Sequence, residues 1–305
     1  MMSGIEGTKD SKKPDFICIG PGLSATTWLA DQLKFHRDMW FPSIQEISYF
    51  HQSLTRFKDT EHLELGAGLR ENIKRVIRNK SLFASRDRIF LEAARKIADL
   101  DSSGLSLESY RSLFSAGADL ITGDISPIYA SLNAIEVKQV RPLIGDARCF
   151  TIIRNPIDRF WSHLKLMRQY QAYGDIDYTD IKTIEMFFED SERSKQFFPS
   201  RIIENWQAGL SPARIKIFWF DDICLNDVVA LKNIVDYIGG DWSKRLRVVS
   251  PTWNRKAKYP AFQVDSQARA WVAQQFTEEL EACADLLGCH AKDWVQKHRS
   301  IGYSA

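Results

Sequence analysis

No stretch of this 305-residue sequence approaches the roughly 18 consecutive apolar residues that a membrane-crossing helix needs. The opening, from Met1 to Asp15, is polar and lacks the apolar segment of a secretory signal. Residues 1–14 are therefore expected to be a flexible tail ahead of a single domain over 15–305. An excess of charge is missing as well: 41 Lys and Arg against 39 Asp and Glu leave a formal net charge of +2. Such a balance gives no support to nucleic-acid binding, and nothing points to a membrane partner. Cysteine pairing is absent too. Cys18, Cys149, Cys224, Cys283 and Cys289 form no Cys-x-x-Cys spacing, and the odd count predicts reduced thiols, no metal site and a cytoplasmic location. There is no internal repeat, no low-complexity tract and no convincing linker, and oligomeric state is not readable.

What the chain does contain is ordinary globular material, 44% hydrophobic and 26% charged. Short apolar runs read as buried strands: Phe16–Gly20, Leu120–Thr122, Cys149–Ile153 and Ile215–Phe220. Between them lie helical patterns. One follows Thr26, with Leu29 and Leu33 on one face. Others run between Leu69 and Leu113, from Asp158 to Gln169, and from Val228 to Ile238, with a stop at Gly239-Gly240. A long terminal helix is expected from about Gln267 to Leu287, burying Val272, Phe276, Leu280 and Cys283. The polar, Tyr-rich stretch from Gln169 to Asp190 reads as a surface excursion. Strands alternating with helices predict an α/β, three-layer, P-loop-like fold with a central, mostly parallel sheet flanked by helices.

Two segments carry chemistry. The loop Gly20-Pro21-Gly22-Leu23-Ser24-Ala25-Thr26-Thr27 joins a strand to a helix start, where backbone N–H groups and the helix dipole favour an anion. A plain β–α turn would use the same small residues. The loop has no Gly-Lys-Ser/Thr ending and no lysine between Pro21 and Asp31, which argues against a nucleoside triphosphate kinase. The second segment is Thr151-Ile152-Ile153-Arg154-Asn155-Pro156-Ile157-Asp158-Arg159-Phe160-Trp161-Ser162. Arg154 lies just past a strand's C-terminal end, where open α/β sheets bind ligands. Arg154 and Ser162 suit one phosphate, as fork and hydroxyl donors, although pairing of Arg154 with Asp158 is an alternative.

The second segment resembles the 3′-phosphate-binding motif of the sulfotransferase family, and the loop Ile19–Leu29 resembles that family's 5′-phosphosulfate loop. Two further stretches are similar to the carbohydrate, heparan-type branch and suggest a bacterial-type soluble member: Gln45-Glu46-Ile47-Ser48-Tyr49-Phe50 and Gly123-Asp124-Ile125-Ser126-Pro127-Ile128-Tyr129. The four motifs span residues 15 to 240 in the family's order. The resemblance implies 3′-phosphoadenosine 5′-phosphosulfate as cofactor, its 3′,5′-bisphosphate as product, and no metal. It also implies a hydroxyl-bearing small molecule or saccharide as acceptor. Gly22, Ser24, Ala25, Thr26 and Thr27 would hold the phosphosulfate end, with Trp28 available to stack, and Arg154 and Ser162 the 3′-phosphate. Arg255 and Lys256 would add late cofactor contacts, and Glu46 would be the general base. Asp124, Ser126 and His51 are candidates for the acceptor side, Ser126 also being placed to N-cap the turn at Pro127.

The sequence departs from the family where charge matters. Leu23 stands where the loop usually has lysine, Gln45 where lysine often precedes the base, and Ala25 where a glycine is usual. Sulfuryl transfer builds negative charge on the leaving phosphate, so a lost donor costs about 10²–10³ in rate. Lys34, His36, Arg37 and His51 are the nearest substitutes in sequence. The readings left open are a transferase, an impaired binder of the cofactor or its bisphosphate, and a P-loop-like small-molecule phosphotransferase. The last would use Asp124 and Asp221 behind their strands.

Overall fold

The structure, a computed structural model, describes residues 12–42, 46–51, 106–117, 119–170, 177, 179–189, 195–246, 264 and 266–301. Four parallel strands form its sheet: β1 (Phe16–Cys18), β2 (Gly123–Ile125), β3 (Arg148–Ile153) and β4 (Ile215–Trp219), in the order β2-β1-β3-β4. Phe16 lies opposite both Gly123 and Arg148, and Ile153 opposite Trp219.

The strands are apolar because both faces are covered. Phe16, Cys18, Phe150 and Ile152 point to one face. There they meet Trp28, Leu29 and Leu33 of α1 (Thr26–Leu33). Ile17 and Cys149 point to the other face. They meet Val137, Val140 and Ile144 from the helix before β3, and Ile202, Trp206 and Leu210 from the helix before β4.

In chain order the helices after α1 begin with α2 (Leu107–Ser112), α3 (Ala134–Ile144), α4 (Pro156–Tyr170), α5 (Ile181–Glu189) and α6 (Pro199–Leu210). They continue with α7 (Phe220–Leu225), α8 (Asp227–Ile238), α9 (Ser266–Gln275), α10 (Thr277–Leu287) and α11 (His290–Ile301). Leu231, Ile234, Val235 and Ile238 of α8 complete the layer begun by α1. The arrangement is the expected three-layer α/β fold. Beyond the layers, Phe160 and Leu164 of α4 pack with Ile184 and Phe187 of α5 and with Ala268 and Val272 of α9. Leu280, Cys283, Ala291 and Trp294 form a smaller cluster under Trp219. Among the described residues no helix is long and apolar enough to cross a membrane.

Local chemistry sets the ends of these elements. Asn133 accepts from the amides of Ile135 and Glu136 while Glu136 accepts from the Asn133 amide, a reciprocal cap on α3. Gly239, at φ 91°, ends α8 as the sequence predicts.

Three expectations need correction. The strand expected at Leu120–Thr122 sits three residues later, as β2. Gly123 is the reason: a Cβ there would meet the Phe16 ring at 2.2 Å, so only glycine lets this strand lie beside β1. Ile121 makes only an isolated bridge to Met39. The long terminal helix breaks at Phe276 (φ −97°, ψ 3°) into α9 and α10, although Val272, Phe276, Leu280 and Cys283 are all buried as expected. Within the supposed surface excursion, Ile181–Glu189 is a helix whose Ile184 and Phe187 are core. The helical patterns between Leu69 and residue 105 lie outside the described residues.

Candidate functional site

The first strand lies between the next two, so the connection leaving β1 runs to one side and the connection leaving β3 to the other. This is the switch point at whose C-terminal edge open α/β sheets bind ligands. Two segments meet at that edge: the loop from Ile19 to Ala25, which feeds α1, and Arg154-Asn155, which feeds α4.

The loop is held in a specific shape. Leu23 and Ala25 both have left-handed backbones, at φ 65° and 66°, and Ser24 between them does not. Alternation of this kind turns successive amides toward one point and makes an anion-binding concavity. The loop carbonyls are drawn the other way, into β3 and α4. Gly20 O accepts from Thr151 Oγ1 at 2.6 Å, Leu23 O from Arg154 Nη1 at 2.9 Å, and Gly22 O from Arg159 Nη1 at 3.4 Å. The first amides of α1 have no partner within the helix. Gly20, at φ 96°, lets the loop pass within 2.4 Å, measured from a Cβ built on it, of Pro127 O.

Around this loop lie buried donors that no atom of the described residues satisfies. They are Ser24 Oγ, Arg154 Nε, and Nε and Nη2 of Arg159. Ser24 is fully buried and Arg159 only 1% exposed. Burial pushes the Arg154 guanidinium below its ordinary pKa, and burial together with the Arg154 charge brings Arg159 down to about 9, partly offset by Glu279. Arginine does not give up its proton at neutral pH. The shifts therefore report two buried guanidiniums whose carboxylate neighbours, Asp158 and Asp221 near Arg154 and Glu279 near Arg159, offset burial only in part. Arg154 lies over the Phe220 ring at 4.4 Å and makes no ion pair with Asp158 among the described residues. Buried donors left unpaired among the described residues, beside two buried guanidiniums that make no ion pair there, fit a phosphorylated ligand. The lysine missing at Leu23 thus leaves a loop still flanked by positive charge.

Ser162 is half-buried on α4, and its hydroxyl donates to Asp158 O at 2.9 Å. Gly22 turns within the loop with no crowding at its Cα. Trp28 is 3% exposed and packed in the core behind α1, so its ring offers no open stacking face. Gln45, Arg255 and Lys256 lie outside the described residues.

On the β2 side a second device holds Glu46. Glu46 and Ser48 are both left-handed, at φ 57° and 58°, a conformation costing about 1 kcal/mol or more at each non-glycine residue. The Ser48 amide donates to Ser126 Oγ at 2.9 Å, and the Ser48 hydroxyl donates to Glu46 O at 3.1 Å. Ser126 occupies the N-cap position of the turn at Pro127, yet its hydroxyl donates to Asp124 Oδ1 at 2.6 Å rather than capping. The other Asp124 oxygen accepts from Tyr129 at 2.7 Å and Tyr110 at 3.0 Å. Burial raises the Asp124 pKa, and the three hydroxyl donors pull it back. Both tyrosines are pushed well above their ordinary range by burial, with the Asp124 carboxylate adding to the shift. A fully satisfied buried network of this kind rigidifies what it touches, here the strained turn that presents Glu46. Glu46 keeps exposed surface, yet enough protein crowds its carboxyl to raise its pKa.

Glu46 opens onto a cleft together with Thr26, Thr27, Lys34 and Asp124; Arg154, Arg159 and Ser162 do not line it. The anion cradle and the cleft are therefore lined by different residues, and Thr26 and Thr27, which line the cleft, directly follow the loop. Of the cations considered as substitutes, Lys34 lines the cleft, with Nζ 3.3 Å from Asp31 Oδ1. His36 is buried at the far end of α1, accepting the Asp38 amide. Arg37 is exposed and His51 half-buried, and neither lines the cleft. The loop contacts of Arg159 and Thr151, and the part played by Tyr110, were not visible in the sequence. Tyr110 reads there only as the apolar face of a helix, because its hydroxyl meets an aspartate 14 residues away.

No family model and no curated protein matches the chain. Among solved structures it is similar to a sulfotransferase from Alicyclobacillus acidocaldarius, at 14% identity and a TM-score of 0.56, covering 92% of this chain and 98% of that one. It is also similar to the sulfotransferase domain from the curacin biosynthetic pathway, at 18% identity and a TM-score of 0.50, covering 87% and 98%. These likenesses show that the chain has the sulfotransferase fold.

Proposed function

We propose that this chain moves a sulfuryl group from 3′-phosphoadenosine 5′-phosphosulfate to an acceptor hydroxyl, acting as one domain over residues 15–305. The observation that carries the reading is the set of buried, unpartnered donors on Ser24, Arg154 and Arg159 beside a left-handed loop at the sheet's switch point. The sulfotransferase fold and the four motifs agree with it. Ser24, Ala25, Thr26 and Thr27 would hold the 5′ end of the cofactor, and Arg154 and Ser162 its 3′-phosphate. The cofactor supplies the sulfuryl group. Transfer forms a sulfur–oxygen bond to the acceptor and breaks the one to the 5′-phosphate, while Glu46 takes the acceptor proton. A raised carboxylate pKa suits a base working near neutrality.

Calorimetric titration with 3′-phosphoadenosine 5′-phosphate, in parallel with ATP, tests this reading. The bisphosphate is expected to bind in preference to ATP, and Arg154→Ala to weaken binding at least tenfold. Tighter binding of ATP, or no effect of Arg154→Ala, would sink it. Leu23 and Gln45, in place of lysines, favour a second reading in which the nucleotide binds without transfer. Tight bisphosphate binding with no sulfation of any acceptor is the result that reading requires.

A further inference from the structure

The cleft beside Glu46 has a chemistry of its own. Ala30, Phe41, Pro42, Ile47, Ile125 and Pro127 make up half of its described lining residues. Its polar residues are Thr26 and Thr27, Glu46, Lys34 and Asp124, and both Asp124 oxygens are already taken by buried hydroxyls. Lys34 is the cation of the described wall, and Asp31 sits 3.3 Å from its Nζ.

A polyanionic saccharide needs several cations, and even a neutral sugar needs a polar partner for most of its hydroxyls, because a buried unpaired hydroxyl costs about 1–3 kcal/mol. The described wall offers one cation, held by Asp31, and few polar side chains beside Glu46. It does offer apolar surface next to a single base, the arrangement for a molecule with one reactive hydroxyl and a hydrocarbon body. We infer that the acceptor is a neutral aliphatic alcohol, its hydroxyl at Glu46 and its chain along Phe41, Ile47 and Ile125. The inference rests on the sulfotransferase reading for the direction of attack, but the apolar selectivity of the cleft stands apart from it.

The test uses binding, so it does not depend on turnover. The protein, free and loaded with 3′-phosphoadenosine 5′-phosphate, is titrated calorimetrically with 1-butanol, 1-hexanol and 1-octanol, with methyl glucoside, and with a heparan tetrasaccharide. Alkanol affinity is expected to rise about threefold per methylene, and both saccharides to bind more weakly than octanol. Ile125→Thr and Ala30→Glu, at positions that are only partly buried, should each weaken octanol about fivefold or more while leaving bisphosphate affinity unchanged. Unchanged bisphosphate affinity shows that the variants are folded. Chain-length-independent alkanol binding, preference for either saccharide, or indifference to both substitutions overturns the inference. If the bisphosphate fails to bind while the alkanol series behaves as expected, the functional reading falls and the apolar cleft remains.

Discussion

At the scale of the residue, the decisive feature is how differently two acidic side chains are treated. Asp124 is 1% exposed and takes three hydroxyl donors, so both its oxygens are engaged inside the protein. Glu46 has no such donors. It is raised by crowding alone and faces an open cleft, which leaves its carboxylate free to accept a proton. A base acts only when ionised, so turnover should be present above the Glu46 pKa and lost as pH falls through it. That acidic limb should lie above the ordinary glutamate value, because the pKa is raised. Glu46→Gln should lower kcat by about 10² or more, leave bisphosphate affinity unchanged, and abolish the limb in a pH–rate profile. Retention of the limb in the variant would assign it to another group. The motif around Glu46 was legible in the sequence. The means of holding it was not, since the Ser48–Ser126 bond joins residues 78 apart.

At the scale of the element, β1 and its neighbours show what periodicity conveys and what it misses. Continuous burial over β1 and over β3 after Arg148 follows from apolar runs covered on both faces, and those strands fall where the residues place them. The second strand was misplaced because Leu120 and Ile121 are the more apolar residues, whereas the sheet selects for the missing side chain of Gly123. Gly123→Ala should therefore be costly. Its Cβ would fall 2.2–2.4 Å from three carbons of the buried Phe16 ring, so the ring or the strand must move, at about 3 kcal/mol. Gly288→Ala is the control. It has φ 61° and ψ −141° and no atom within 4 Å, so its cost is backbone strain alone, about 2 kcal/mol. Denaturant midpoints of the two variants measure the difference. Equal losses would mean that β1 and β2 separate easily, and the floor of the cleft with them.

At the scale of the whole molecule, the last helices are coupled to the anion cradle although they lie outside the three layers. Arg154 rests on Phe220, the first residue of α7. The next two residues of α7 are tied to α11: Trp294 Nε1 donates to Asp221 Oδ1 at 3.2 Å, and His290 Nε2 lies 2.7 Å from Asp222 Oδ1. Sequence pattern marks α10 as amphipathic but carries no trace of this linkage, because its partners are about 70 residues apart and each would be satisfied on a surface. Linkage through a ring and a short helix should act on nucleotide affinity rather than on proton transfer. Trp294→Phe keeps an aromatic ring, though a smaller one, in its cluster with Leu280 and Cys283 and deletes the bond to Asp221. We expect it to weaken 3′-phosphoadenosine 5′-phosphate about two- to fivefold, the loss of roughly one net hydrogen bond spread over the coupled parts, with the pH–rate limb of Glu46 unmoved. Unchanged affinity would reduce α11 to a cover for Trp219. A shifted limb would mean instead that the terminal helices reach the cleft, and that cradle and cleft respond as one unit.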